Sequence, residues 1–454
     1  MDVKLEDLLA SYLQCRSNKR NTKAALEFER NWESELMELY RELCEDRYRL
    51  SPSYCFIVEN PVKREVFAAA FRDRIVHHYV VSRLEPFWEK YFVFDCYSCR
   101  KGKGTLFGAN RLKRFIAQCS MGYTQPCYVL QCDLQGFFMS IDRELLAERL
   151  DDFLGEYYTG EDLDTMRRLV RMIALANPLD GVEVRGNPRL WKDLPPDKSL
   201  FAVNGFPTPA QKRKGVQLDL FRCGKQIGLP IGNLTSQWFA NFYLAPFDHY
   251  CKHTLGLRYY GRYVDDFFVV HSDPDYLKSL IPKFKEFLSC ELKARLHPNK
   301  VKLTDYHKGI SFIGVTIKGS TMLSGKRIKK NTRKALQGWN ELAENRKLTD
   351  EEVERFTQMM NSYLGLMRHH NSYRLRVSLL DGMSSRLRKY FCINTPDKII
   401  SWDRVYYKAW LSVRNECHSR LRALRHKYPD KKFSFEELYN DICMERYLKR
   451  MGGM

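Results

Sequence analysis

Arg258-Tyr259-Tyr260-Gly261-Arg262-Tyr263-Val264-Asp265-Asp266-Phe267-Phe268-Val269-Val270-His271 decides how this chain is read. Apolar, aromatic and β-branched runs flank an adjacent pair of aspartates, so the pattern predicts two short strands with the acids at their turn. Carboxylates that close raise each other's pKa in an apolar setting unless a cation neutralises them. A lone Asp-Asp pair is usually a solvated turn, but here rings and aliphatic side chains hem the pair in on both sides. Strand, two acids, strand is the arrangement a two-metal phosphoryl-transfer site requires.

Tyr263-Val264-Asp265-Asp266 resembles the Tyr-x-Asp-Asp box of reverse transcriptases. The resemblance implies a third metal-binding acid upstream, at the end of another strand. Cys127-Tyr128-Val129-Leu130-Gln131-Cys132-Asp133-Leu134-Gln135-Gly136-Phe137-Phe138 supplies it, as an apolar run carrying Asp133 and then a Phe-Phe pair. Two boxes in the right order imply an α+β right-hand polymerase: fingers, palm and thumb, with an antiparallel palm sheet, a helical thumb and a helical C-terminal extension. The boundaries expected are an N-terminal helical segment at 1–59, fingers at 60–126, the first palm segment at 127–150, and fingers and palm helices at 151–227. The palm resumes at 228–320, the thumb covers 321–390 and the extension 391–454.

The length of 454 residues allows about three domain-sized units at roughly 150 residues each. A hydrophobic content of 44% supports a substantial core, and a formal charge of +20 points to a polyanionic partner. The basic residues are spread along the chain, which suits an extended groove. The 14 cysteines are scattered and no signal peptide precedes them, so a cytoplasmic protein with reduced thiols is expected, the cytoplasm being bacterial in the resemblance. No apolar run reaches membrane-spanning length, so no membrane partner is expected. Cys96-Tyr97-Ser98-Cys99 is the one C-x-x-C, and half a zinc site without a second pair is not a zinc site.

Residues 1–50 read as two helices, with apolar residues at helical spacing around Leu8 to Leu13 and Trp32 to Tyr40. Lys63-Arg64 opens an apparent strand and Phe71-Arg72-Asp73-Arg74 a helix. In the resemblance Arg64 grips the incoming triphosphate, and Arg72, in the same substrate-binding region, holds template or structure. The loop Cys99-Arg100-Lys101-Gly102-Lys103-Gly104-Thr105 combines charge with glycines that let backbone approach phosphate closely, so Arg100, Lys101 and Lys103 are candidate nucleic-acid contacts. Phe138 matches the family's steric gate, a ring that leaves no room for a 2′-hydroxyl, with Phe137 and Leu134 beside it. Asp142 reads as a helix N-cap. The polar stretch 202–226 reads as a surface insertion.

Gly228-Leu229-Pro230-Ile231-Gly232-Asn233-Leu234-Thr235-Ser236-Gln237 opens a further helix. Most reverse transcriptases carry glutamine at the position of Ile231 and proline at that of Gln237. The form seen here resembles the enzymes of diversity-generating retroelements, as do Arg72-Asp73-Arg74, the 99–105 loop and Lys198-Ser199-Leu200-Phe201. In that resemblance Ile231, Gly232, Gln237 and Tyr263 surround the nucleotide, with Gly232 passing beneath the nascent base pair, and the aliphatic Ile231 implies error-prone copying. Leu296-His297-Pro298-Asn299-Lys300 matches a further palm motif, in which Lys300 is the candidate general acid for the leaving pyrophosphate. Gly309–Val315 resembles the primer grip. Asn361–Arg376 resembles the thumb, with Arg368 and Arg374 as nucleic-acid contacts.

The implied reaction is RNA-templated extension of a primer by dNTPs with two Mg²⁺ ions, for which Mn²⁺ can substitute. Asp133, Leu134, Asp265 and Asp266 form the metal-binding set. Expected partners are template RNA and the RNA/DNA hybrid, together with a structured non-coding RNA or a small basic accessory protein. The alternatives are an RNA-directed RNA polymerase, a non-catalytic nucleic-acid scaffold, and an antiphage defence reverse transcriptase working with a dedicated non-coding RNA, including protein-primed forms.

Overall fold

The computed structural model describes residues 3–17, 22–59, 62–213, 226–427 and 434–451. The chain divides into two units, Met1–Ile313 with Lys318–Ser320, and Gly314–Ile317 with Thr321–Met454.

The first unit begins with α1 (Leu5–Ser17), α2 (Lys23–Glu29) and α3 (Trp32–Cys44), then β1 (Tyr54–Val58), β2 (Arg64–Ala68), α4 (Phe71–Tyr91) and α5 (Thr105–Cys119). β3 (Tyr128–Cys132) leads through α6 (Phe137–Ser140) to α7 (Arg143–Tyr157) and α8 (Leu163–Leu175). β4 (Glu183–Val184), α9 (Leu200–Val203) and α10 (Pro209–Lys212) follow. α11 (Leu234–His249), β5 (Tyr260–Tyr263), β6 (Asp266–His271), α12 (Pro274–Leu292), β7 (Lys302–Asp305) and β8 (Ile310–Phe312) complete it.

Four of these strands form one sheet in the order β5-β6-β3-β7, with every pairing antiparallel. Alternation across the pleat gives Phe267 and Phe268 opposite duties. Phe267 meets Phe247 of α11 and Phe284 of α12 at ring separations of 5.0 and 5.5 Å. Phe268 meets Phe115 of α5 at 6.3 Å and Phe312 of β8 at 5.0 Å. Adjacent phenylalanines therefore pin both faces of the strand that carries Asp266. A second sheet, β2-β1-β4, pairs β1 antiparallel with β2 and parallel with β4.

Three expectations need correction. The first 50 residues hold three helices, not two, because Ala25 and Phe28 give the short α2 its own buried face. Tyr12 stacks on Trp32 at 5.4 Å and Phe28 meets Phe71 of α4 at 5.1 Å, so these helices share the core of the first unit. The stretch 202–226 is not simply a surface excursion. Its described part, to residue 213, buries Asn204, Thr208 and Pro209, while 214–225 lie outside the described residues. The anchor is Glu65 on β2, fully buried, which accepts hydrogen bonds from Trp191 Nε1 (2.7 Å), Ser199 Oγ (2.9 Å) and the Leu200 amide (2.7 Å).

The third correction concerns the tail. β9 (Val315–Lys318) and β10 (Thr321–Ser324) precede α13 (Lys326–Asn345), α14 (Asp350–Met367), α15 (Tyr373–Asp381) and α16 (Ser385–Arg388). The expected helical extension then opens with an antiparallel hairpin, β11 (Phe391–Thr395) and β12 (Lys398–Ser401), before α17 (Trp402–Lys427) and α18 (Phe435–Met451). Phe391 and Ile399 are buried with Phe356 and Leu364 of α14. Asn361 on α14 clamps β12 by exchanging hydrogen bonds with the Ile399 backbone, at 2.9 and 2.8 Å. The hairpin is thus part of the second unit's core.

No helix among the described residues is long and apolar enough to cross a membrane. The described cysteines are free thiols.

Candidate active site

Register places the acids. Antiparallel pairing of β3 with β6 ends at Cys132↔Phe267, so one more step sets Asp133 opposite Asp266. Pairing of β3 with β7 runs to Gln131↔Lys302, and two more steps set Asp133 opposite Lys300. That geometry is realised in the side chains, because Lys300 Nζ lies 2.9 Å from both Asp133 carboxylate oxygens. Backbone bonds from His297 N to Asp133 O (2.8 Å) and Gln135 N to Arg295 O (2.9 Å) extend the ladder past the strand end. Asp265 sits in the two-residue turn between Tyr263 and Asp266, which pair across the β5–β6 hairpin.

The three carboxylates are short of compensating charge. Burial, then the charge of Asp133, pushes Asp265 up to about 6. Burial, then Asp265 and Asp133, with a hydrogen bond to Asp133 that favours the protonated form, pushes Asp266 up to about 7. Lys300 acts in the opposite sense on both. Partial burial depresses the Lys300 ammonium itself, but Asp133, Asp265 and Asp266 outweigh it and hold the group above the ordinary lysine value.

Such a cluster of hard oxygen donors suits a divalent cation such as Mg²⁺. Among the described residues no group of three or more His, Cys, Asp or Glu side chains could hold a metal ion as they are placed. Mg²⁺ does not require one, since it commonly keeps waters and substrate phosphates in its shell beside one or two carboxylates. Leu134, buried at 3% exposure, could contribute to such a site only its backbone carbonyl.

The other candidate residues fall into three groups. The first group lies near the acids along the chain, and Tyr263 also pairs with Asp266. Tyr263 is half-buried at the end of β5, and Phe138 is half-buried beside Phe137, at 5.6 Å. Phe137 itself is in the core, so its ring serves packing and not substrate binding.

A second group forms the loop before α11. Ile231 O accepts from Phe67 N at 2.8 Å, and Asn233 Oδ1 accepts from Ala69 N at 3.3 Å. Gly232 has φ +126°, and a Cβ there would lie 2.4 Å from Phe67 O. Glycine is therefore required by the close approach of β2, a protein contact that its place beneath a base pair did not anticipate. Gln237 is exposed and accepts a hydrogen bond from Cys99 Sγ at 3.1 Å.

The third group is the expected basic contacts. Arg64 is exposed at the start of β2 and makes no ion pair among the described residues. Arg72 is otherwise engaged, paired with Glu42 and stacked over Tyr48 in the seam between α3 and α4. Arg100 is a correction to the expected nucleic-acid contact. It is buried, bonded through Nε and Nη2 to Glu89 (2.8 and 2.7 Å) and through Nη1 to the carbonyls of Val93 and Cys96. It ties the 93–100 loop to α4. Lys103 donates to Phe94 O at 2.7 Å and lies over the Phe94 ring, whereas Lys101 is exposed and reaches Glu85. Arg368 and Arg374 are exposed in the second unit, at the end of α14 and on α15.

Sequence reasoning missed the residues beneath the turn. Arg262 and Asp248 are fully buried and paired, with Asn241 and Ser98 joined to them. The signal was present: one arginine in an apolar strand and one aspartate in the apolar helix α11. Charges seldom go to the core unless they go together.

No protein-family model matches the chain. Protein YkfC of Escherichia coli K12 is 23% identical over 318 residues, covering 62% of this chain and 70% of that protein. A telomerase from Candida albicans, solved with a TWJ fragment of telomeric RNA, aligns with 90% of this chain and 67% of that one at 12% identity and a TM-score of 0.38. Apo telomerase from Candida tropicalis aligns with 73% of this chain at 13% identity and a TM-score of 0.43. The chain spans 55% of the length of that Candida tropicalis protein.

Proposed function

We propose that the chain is an RNA-directed DNA polymerase. It extends a primer 3′-hydroxyl with dNTPs along an RNA template, in a prokaryotic retroelement of the diversity-generating type. The observation that carries this reading is the convergence of Asp133, Asp265 and Asp266 at adjoining ends of antiparallel strands, with one lysine against three acids. Mg²⁺, or Mn²⁺ in its place, would be held by the three carboxylates and the Leu134 carbonyl. Bound there, it supplies a lowered pKa for the attacking hydroxyl and charge stabilisation for the departing pyrophosphate.

The protein's own groups do the rest. As ligands Asp265 and Asp266 would be needed in their ionised form, and Asp133 would have to give up its hydrogen bonds to Lys300. Lys300 is held protonated, so it has a proton to give the leaving pyrophosphate. Phe138 excludes a 2′-hydroxyl and selects dNTPs. Ile231 offers the nucleotide no polar side-chain contact, which weakens geometric checking and lowers fidelity. The charge of +20 favours the template and the RNA/DNA hybrid through counterion release.

Asp265→Asn or Asp133→Asn is expected to lower primer extension by about three orders of magnitude or more, the scale of losing charge stabilisation in a transition state, while RNA binding in a gel-shift assay persists. Near-normal synthesis by either variant would end this reading. Preferential incorporation of rNTPs over dNTPs by the wild type would reassign the chain as an RNA polymerase.

A further inference from the structure

The turn that carries Asp265 is strained. Val264 has φ +57°, a left-handed conformation that is an outlier for a β-branched residue and persists only where the surroundings over-determine it. Both peptide groups of Val264 are captured. Its N–H donates to Ser98 Oγ at 3.2 Å, and its carbonyl accepts from Arg262 Nη1 at 2.8 Å.

Both captors are held from behind. Ser98 Oγ donates to Asn241 Oδ1 at 2.6 Å, and Asn241 Nδ2 donates back to Ser98 O at 2.8 Å. Arg262 donates through Nε and Nη2 to the two Asp248 oxygens at 2.7 and 2.5 Å, and through Nη2 to Asn241 O at 3.2 Å. Tyr260 donates to Asp248 Oδ1 at 2.6 Å. Ser98, Asn241, Asp248 and Arg262 are each at most 1% exposed. The backbone joins in, with Arg262 N donating to Asp95 O and Tyr97 N to Arg262 O, both at 2.9 Å. This gives the Cys96–Cys99 stretch a use that metal binding does not: it lies along β5 as an extra edge, with Cys96 Sγ against Arg262 Nη2 at 3.4 Å.

From this geometry we infer that Ser98, Asn241, Asp248 and Arg262 are positioning residues that lock the Val264–Asp265 turn against the mutual repulsion of the three carboxylates, and so hold Asp265 ready for a divalent cation. The inference rests on the polymerase reading. A buried ion pair that only supported the fold would need no contact with the turn. Here the arginine satisfies its carboxylate with Nε and Nη2 and leaves Nη1 to reach the Val264 carbonyl at 2.8 Å and Asn241 Oδ1 at 3.4 Å, an allocation that its five donors permit and a lysine's single nitrogen would not.

Ser98→Ala removes the captor of the Val264 N–H and leaves the ion pair intact; Ser98→Thr keeps the hydroxyl. On the full chain, Mn²⁺ binding by electron paramagnetic resonance is measured beside the thermal midpoint, kcat and KM for dNTP. Ser98→Ala is expected to weaken Mn²⁺ binding and lower kcat by about tenfold each, the scale of a small misplacement of a catalytic group, with KM unchanged and both losses restored in Ser98→Thr. Wild-type Mn²⁺ binding by Ser98→Ala overturns the inference, as does a loss that tracks the thermal midpoint in both variants. Asp265→Asn serves as the reference. If the wild type binds no more Mn²⁺ than that variant, the metal reading falls and the clamp falls with it.

Discussion

Two clusters of charge lie on either side of the same turn, and they are built on opposite rules. Beneath it, Asp248 and Arg262 are fully buried and fully partnered. Beyond it, Lys300 is hydrogen-bonded to Asp133 alone and reaches Asp265 and Asp266 only through its charge, and those two are pushed up to about 6 and 7. A buried charge normally finds its counter-charge within the chain. Where one cluster does and its neighbour does not, the deficit falls where the proposed function needs charge from outside. The complete cluster holds the turn, and the incomplete one is the site proposed for the chemistry.

The comparison breaks most visibly on the complete side. Asp248→Ala strands the Arg262 guanidinium in the core, and removing one partner of a buried ion pair costs about 3–5 kcal/mol. Urea denaturation should register that loss with no dependence on Mg²⁺. A variant within about 1 kcal/mol of the wild type would show that the pair is not a scaffold.

On the incomplete side the sign reverses. Asp265 and Asp266 have folded pKa values of about 6 and about 7, above the ordinary 3.8. Between those limits the folded chain keeps protons that the unfolded chain has shed. Their contribution to stability is therefore greatest below pH 4, falls as pH rises through that window, and levels off above it. For Asp265 the fall is on the order of 3 kcal/mol. In EDTA, Asp265→Asn should be more stable than the wild type at pH 8 and close to it at pH 4, as read by thermal unfolding at both pH values. A wild-type advantage at pH 8 without metal would mean that the acids are compensated after all.

How much of this was legible in the residues depends on whether the cause was local. Strand, turn and acids around Asp265 could be read because period-two patterning and turn chemistry act over a few residues. Antiparallel register then carried Asp133 and Lys300 to the same place. Arg100 was misread because its charge and neighbouring glycines are those of a phosphate-binding loop, and only the fold brings Glu89 to it. At Gly232 the expected approach to a base pair left out a constraint from within the chain, the Phe67 carbonyl. The 391–401 hairpin was hidden by helical patterns on both sides, although Asn394-Thr395-Pro396-Asp397 is a turn signal. The Ser98–Asn241–Asp248–Arg262 network joins residues more than 160 positions apart, and no local pattern reports such a partnership.

The smallest effect sharpens the comparison most. The Lys300 side chain is 54% exposed, so water screens its pairing with Asp133 and Lys300→Met should cost only about 0–1 kcal/mol of stability at neutral pH. Its folded value lies above the ordinary lysine value, so its own contribution is intact throughout the acidic and neutral range and is lost only as pH rises through that raised value. Any pH dependence that Lys300→Met alters near neutrality must therefore come through the acids. Lys300 is one of the groups that hold Asp265 and Asp266 down, so its removal should move their titration window upward. Carboxyl carbon shifts followed by NMR across pH 4–8 would resolve that displacement, and the same window in Lys300→Met as in the wild type would mean that the lysine is a bystander to the carboxylates it touches.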